Sequence, residues 1–253
     1  MDPTPMAPDA HLDAFAREAA AFAAAARRGT DVPVPACPGM SLGELTVHLG
    51  VVHRRAAKAV RTGADEPVRA ERQWFVDPTD PGLVAWFEEG AAEALDVCRA
   101  AGPQAPAWHF LDGGTASVWF RRLAHETAVH RWDAEQAHGE ARPLDGDLAA
   151  DGIDELLVAL LPRVIWRQGP PEGAEPAGER FHFHRTDGPG EWLVVFRPEG
   201  VEVTTEHAKG DVAVRGPASP LLLHLWGRSP VDGLEVLGDA AVAARWPALA
   251  PAP

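Results

Sequence analysis

The period of the apolar residues changes once along this chain, and the change decides what it can fold into. Up to about residue 167 apolar side chains recur at three- and four-residue steps, the spacing of one helical face; from residue 180 they alternate, as in a strand. Residues 169–178, rich in glycine, proline and glutamate, separate the two regimes and read as a linker or exposed loop. The expected architecture is therefore a two-domain α+β chain, with helices over 1–168 and a smaller α+β domain over 179–253.

Four stretches of about twenty residues carry helix signals. Residues 9–28 place Leu12, Phe15, Ala19, Phe22 and Ala26 on one stripe and close at Gly29. Residues 41–61 open with Ser41 and Glu44, a capping box in which each side chain takes the other residue's backbone N–H. In the third, Asp80 is the expected N-cap and Pro81 the first helical residue, ahead of Leu83, Phe87, Ala91, Ala94 and Cys98. The fourth spans 115–138 and ends at Gly139. Four such helices with modest connections predict a bundle. The loop over 66–77, with Trp74 and Phe75, is expected to cap one end, and a fifth helix over 148–167 to bridge the domains. Strands are predicted at 180–185, 191–197, 200–206, 211–215 and 234–237, with helices at 217–226 and 239–246.

Charge narrows the partners. The 253 residues hold 37 acidic and 23 basic side chains, a formal charge of −14 that repels phosphate backbones and anionic headgroups. Nucleic acid and membrane are not expected partners, and no run approaches the roughly 18 apolar residues of a spanning helix. Cys37 and Cys98 are too few for a disulfide framework, and the acidic, proline-rich start has no signal-peptide pattern, so a reducing cytoplasm is the expected location.

The fourth helix carries the chemistry. Glu126 and His130, four apart, stack on the stripe that also holds Leu123 and Ala134 and should face the bundle interior. A carboxylate buried there needs a partner or a metal ion. On the second helix His48 shares a face with Leu45 and Val52, where an apolar residue would be expected. His48, Glu126 and His130 thus form a two-histidine, one-carboxylate set, the number of protein ligands that leaves positions open on a divalent ion. His125 and His130 are five apart, so this is not the metalloprotease pattern with histidines one turn apart. His53 is expected to point elsewhere, and His125 to stand behind the set at most. His182 and His184 share a strand face with nothing nearby in sequence to complete a site. Cys98 reads as core; Cys37 reads as exposed, with no basic neighbour to make it a nucleophile.

These residues resemble a known family. Val34-Pro35-Ala36-Cys37-Pro38-Gly39-Met40-Ser41, then Leu45-Thr46-Val47-His48-Leu49, then His125-Glu126 and His130 to Glu135 are similar to the mycothiol-dependent maleylpyruvate isomerase family of DinB-like metal-binding bundles. Residues 211–219 and 222–228 resemble its C-terminal part. The resemblance implies an up-down four-helix bundle followed by a small, sterol-carrier-like α+β domain. It places the family's metal triad on His48, Glu126 and His130, with zinc as the expected ion and mycothiol, an actinobacterial thiol, as cosubstrate. Only Lys58 and Lys209 are lysines among the 23 basic residues, a composition compatible with such a source. Met40 departs from the tryptophan usual in the family. The resemblance also implies an arginine from the second domain for an acidic substrate, with Arg215 and Arg228 both candidates.

The expected function is metal-dependent addition of a small thiol, held as thiolate, to a small electrophilic and acidic substrate, giving cis-trans isomerisation or thiol transfer. No residue is assigned to the thiol itself, and a monomer or a homodimer is expected. The rival is a non-catalytic small-ligand-binding protein with a structural or vestigial metal site.

Overall fold

A computed structural model describes residues 6–63, 66–111, 114–229 and 233–251; the expected domain ends at residues 1–5 and 252–253 lie outside them. The chain forms two compact units, one over Ala7–Leu144 and one from Asp145 to the C-terminal end.

The first unit is a four-helix bundle of α1 (Pro8–Ala26), α2 (Leu42–Thr62), α3 (Leu83–Ala101) and α4 (Ala116–Ala137). α1 packs on α3 and α4, and α2 packs on the same two from the opposite corner, so consecutive helices α1/α2 and α3/α4 lie on diagonals. Phe15, Phe22, Leu42, Leu45, Phe87, Cys98, Phe120 and Leu123 fill the space between them. The Ser41–Glu44 capping box forms as expected, with Glu44 N–H on Ser41 Oγ at 3.2 Å and Ser41 N–H on Glu44 Oε2 at 2.7 Å. α3 starts later than expected, with Gly82 at its N-cap position. Asp80 instead closes a turn one step earlier, its Oδ1 accepting the Gly82 N–H at 2.6 Å, and Pro81 precedes the helix. Trp74, in the short turn Arg72–Trp74, packs with Val76 and Trp86 against Val47, Val51 and Leu83, while Phe75 stays exposed.

A buried ion network ties α1 to α4. Arg131 Nε donates to Glu18 Oε2 at 2.7 Å, and its Nη1 donates to Glu135 Oε2 at 2.9 Å and to the Arg142 carbonyl at 2.7 Å. All three charged side chains are nearly shut off from water, and Arg142 adds a second cation to Glu135 from the rim.

In the second unit, the predicted helix over 148–167 is α-helical as α5 only over Gly146–Asp154 and becomes π-helical over Glu155–Ile165. Pro162 lies inside that segment with no N–H to donate, and the five-residue bond from Trp166 N–H to the Leu161 carbonyl closes it. The sheet comprises β1 (Arg180–Arg185), β2 (Glu191–Arg197), β3 (Gly200–Thr204), β4 (Val212–Gly216) and β5 (Glu235–Gly238) in the order β3-β2-β1-β4-β5. Only β1 and β4 run parallel. α6 (Ala218–Leu225) packs on α5. The predicted C-terminal helix is split into α7 (Ala240–Ala243) and α8 (Trp246–Leu249), with Pro247 in the first turn of the second. Alternation on β1 sends Phe181 and Phe183 to one face, where they meet Trp246, and His182 and His184 to the other. Among the described residues no helix is long and apolar enough to cross a membrane.

Replacing Arg131 by methionine strands the buried Glu18 carboxylate and leaves Glu135 with Arg142 alone. The expected loss is about 3–5 kcal/mol of unfolding free energy, measured by urea titration.

Candidate metal centre

α4 builds most of the site because residues four apart share a face. Arg122, Glu126 and His130 stand on three successive turns, and Asp133 follows on the next. Arg122 Nη2 donates to Glu126 Oε2 at 2.8 Å. The other oxygen, Oε1, faces two imidazoles: His130 Nε2 at 3.3 Å and, from α2, His48 Nε2 at 3.2 Å. The two rings stand nearly perpendicular, 5.3 Å between centroids. His130 is fixed from behind by Asp133, whose Oδ2 lies 2.9 Å from Nδ1.

One difference from the sequence reading concerns His48. It was expected on the interior face, yet its side chain is 46% exposed, against 20% for Glu126 and 10% for His130. At about 100° per residue, the buried line of α2 through Leu42, Leu45, Leu49, Ala56 and Val60 leaves His48 at its edge. The donor set therefore lies at the rim of the bundle, open to solvent on the His48 side.

Burial opposes ionisation of Glu126, but Arg122 and the hydrogen bonds from His130 and His48 outweigh it and hold the carboxyl well below its ordinary range. Burial likewise disfavours a charged His130, but Asp133 and Glu126 pull its pKa up to about 9.

The donor chemistry fits a divalent ion. Bonds of about 2.0–2.1 Å in a tetrahedral site put neighbouring ligand atoms about 3.3 Å apart, and the two nitrogen–oxygen separations here are 3.2 and 3.3 Å. The histidine–carboxylate pair of His130 and Asp133 is the support that metal-bound imidazoles usually have.

Sequence reasoning found His48, Glu126 and His130 but missed Asp133, Arg122 and Cys37. Asp133 and Arg122 were legible in principle from their three- and four-residue spacing to His130 and Glu126. Cys37 was not, because only the fold carries its Sγ to 3.9 Å from Asp133 Oδ2, so that Cys37, His130 and Asp133 form a second group of converging donor atoms. His53 is a core histidine: its Nε2 lies 3.0 Å from Thr127 Oγ1, Phe15 and Phe87 flank the ring, and burial lowers its pKa to about 3. His125 meets His11 edge-on and is not one of the donors that converge with His48, Glu126 and His130. Cys98 is core, its thiol pushed up to about 12 by burial. In the second unit Arg215 pairs with Glu235 at 3.1 Å, and Arg228 donates to the Trp226 carbonyl at 2.9 Å.

A four-helix bundle with two imidazoles and a carboxylate converging at its rim, followed in sequence by a small α+β unit, defines a class of bundle proteins with an open donor set for a divalent ion. Within that class the chain belongs to the mycothiol maleylpyruvate isomerase family. Residues 10–135 match the mycothiol maleylpyruvate isomerase N-terminal domain and residues 147–245 the MDMPI C-terminal domain. The crystal structure of the mycothiol-dependent maleylpyruvate isomerase shares the fold at 13% identity and a TM-score of 0.63, covering 91% of this chain and 93% of that one. A histidine-to-alanine mutant of that protein matches at 13% identity, the same coverage and a TM-score of 0.62. No curated protein matches the sequence.

Asp133→Asn keeps the shape behind His130 but removes the charge that fixes its tautomer. Zinc affinity is expected to fall about 10–100-fold with the fold unchanged, as read by competition with a chelating dye.

Proposed function

We propose that this protein is a metal-dependent isomerase that borrows its nucleophile from a small thiol, with mycothiol the thiol and zinc the ion. The convergence of His48 Nε2, His130 Nε2 and Glu126 Oε1 on one point at the bundle rim carries this reading. An ion bound there would supply the acidity that makes a coordinated thiol give up its proton at neutral pH.

The chain's own residues do the rest. With an ion bound, the Asp133 carboxylate would hold the His130 N–H on Nδ1 and leave the Nε2 lone pair for the metal. Arg122 occupies one oxygen of Glu126, so only Oε1 is offered. The half-exposed His48 leaves an approach for a small thiol from solvent. The thiol sulfur then adds to one carbon of a cis double bond conjugated to a carbonyl, and the π electrons move onto the carbonyl oxygen. The former double bond rotates as a single bond. Return of the electron pair expels the sulfur and forms the trans alkene, so the thiol is recovered and no atom is gained. A substrate with a leaving group at that carbon would give thiol transfer by the same first step. A reducing cytoplasm suits a free thiol cosubstrate, and Cys37 and Cys98 are both unbridged.

The rival reading, a non-catalytic binder with a vestigial site, draws on Arg122, which already neutralises Glu126 without a metal ion. Thermal unfolding separates the two. Zinc and mycothiol together are expected to raise Tm more than the sum of either alone, and His48→Ala is expected to abolish both that synergy and maleylpyruvate isomerisation. Stabilisation by zinc or by mycothiol that ignores the other, with no turnover, would leave the binder.

A further inference from the structure

The face of the sheet opposite Phe181 and Phe183 carries a further convergence of donors, separate from the bundle. His182 and His184 are two apart on β1 and project to the same side. Glu191 stands directly across from His184 in the antiparallel pair with β2, and reaches both histidines: Oε2 lies 3.2 Å from His182 Nε2, and Oε1 lies 3.2 Å from His184 Nδ1. His207, on the connection between β3 and β4, brings its Nδ1 to 2.5 Å from Glu191 Oε2. Thus the sequence expectation that nothing completes the His182–His184 pair is overturned, because the completing residues come from the neighbouring strand and from a loop more than twenty positions away.

The fold invests in this placement. Gly210 lets the loop lie close against β1: a Cβ there would stand 2.7 Å from the Arg180 and Val212 carbonyl oxygens and 3.0 Å from the His182 nitrogen. Asp211 secures the same approach, its N–H donating to the Arg180 carbonyl and its Oδ2 accepting the Arg180 N–H, both at 2.8 Å. A cavity of about 320 Å³ lined by His182, His207, Lys209 and Asp211 opens beside the imidazoles and gives access from solvent.

Several shielded carboxylates, Glu18, Glu126 and Glu135 among them, face an arginine. Glu191, whose side chain is 14% exposed, has three imidazoles as its ion-pair partners among the described residues. A divalent ion held among these donors would compensate the carboxylate with full charge. His182 Nε2 and His184 Nδ1 each lie 3.2 Å from a different oxygen of Glu191, so the carboxylate stands between the two imidazoles.

We infer that His182, His184, Glu191 and His207 form a second binding site, independent of the bundle centre, for a divalent ion of the zinc class. His182, His184 and Glu191 supply the fixed ligands, and His207, 78% exposed, closes over the ion from the loop.

The test uses the full chain stripped of metal with a chelator, dialysed to equilibrium against Zn2+ and analysed for bound metal per chain by mass spectrometry. Wild type should bind two ions, His48→Ala one, and Glu191→Gln one. His207→Ala, a surface change that leaves the sheet intact, should weaken one of the two wild-type sites about tenfold or more. Circular dichroism confirms that each variant is folded, and His184→Gln, at a partly exposed strand position, repeats the Glu191→Gln test if that variant unfolds. One ion in wild type that is lost with His48→Ala and kept in both Glu191→Gln and His184→Gln would overturn the second site. One ion that is lost with the sheet variants and kept in His48→Ala would support the second site and count against the bundle centre instead.

Discussion

A carboxylate set among packed helices must be matched at both oxygens, and Glu126 is matched unequally. Arg122 takes Oε2 with a full charge, while Oε1 is shared by two imidazoles whose charge depends on protonation. The first contact holds Glu126 ionised and oriented; the second leaves its free oxygen beside two nitrogen donors. Because Arg122, Glu126 and His130 fall on one stripe of α4, a single helix sets their spacing. Only His48 comes from elsewhere, and its placement depends on how α2 lies against α4. The hydrogen bond between His53 and Thr127, inside the core one turn along from His48 and beside Glu126, ties the same two helices together. Held neutral by burial, His53 makes that tie without adding charge beside the site.

The acidic character of the chain acquires a local meaning at this centre. A chain with a formal charge of −14 must offset its own field wherever it shields carboxylates from water. Within the bundle, Arg122 and the raised pKa of His130 already do so beside Glu126 and Asp133. Elsewhere the fold neutralises shielded carboxylates with arginine, as in the Glu18–Arg131–Glu135 network. The sheet cluster around Glu191 departs from that practice and repeats the motif of the bundle centre, a carboxylate encircled by imidazole nitrogens.

Much of this was legible in the sequence because it is local. The switch of period from 3.6 to 2, the Ser41–Glu44 box and the alternation of Phe181 and Phe183 with His182 and His184 each concern residues within one or two turns, and the fold follows them. The misplaced start of α3 has a local cause too: Asp80 serves equally well as a turn residue or a helix cap, and packing chose the turn. Pro162 should have argued against a regular helix across 148–167, and its consequence is the π-helical segment. What stayed hidden depends on distant segments meeting: Cys37 beside Asp133, Glu191 across from His184, His207 brought in by a loop. Spacing along the chain carries no signal for such encounters. The resemblance to the isomerase family supplied the triad's role, while the helical faces supplied its members.

The most direct measurement is an anomalous-scattering map at the zinc edge from crystals grown with zinc. The account predicts a peak about 2.0–2.2 Å from His48 Nε2, His130 Nε2 and Glu126 Oε1, with Arg122 still on Oε2 and Asp133 still on His130 Nδ1. A map with no peak at that point, and Glu126 Oε1 still hydrogen-bonded to both imidazoles, would contradict it.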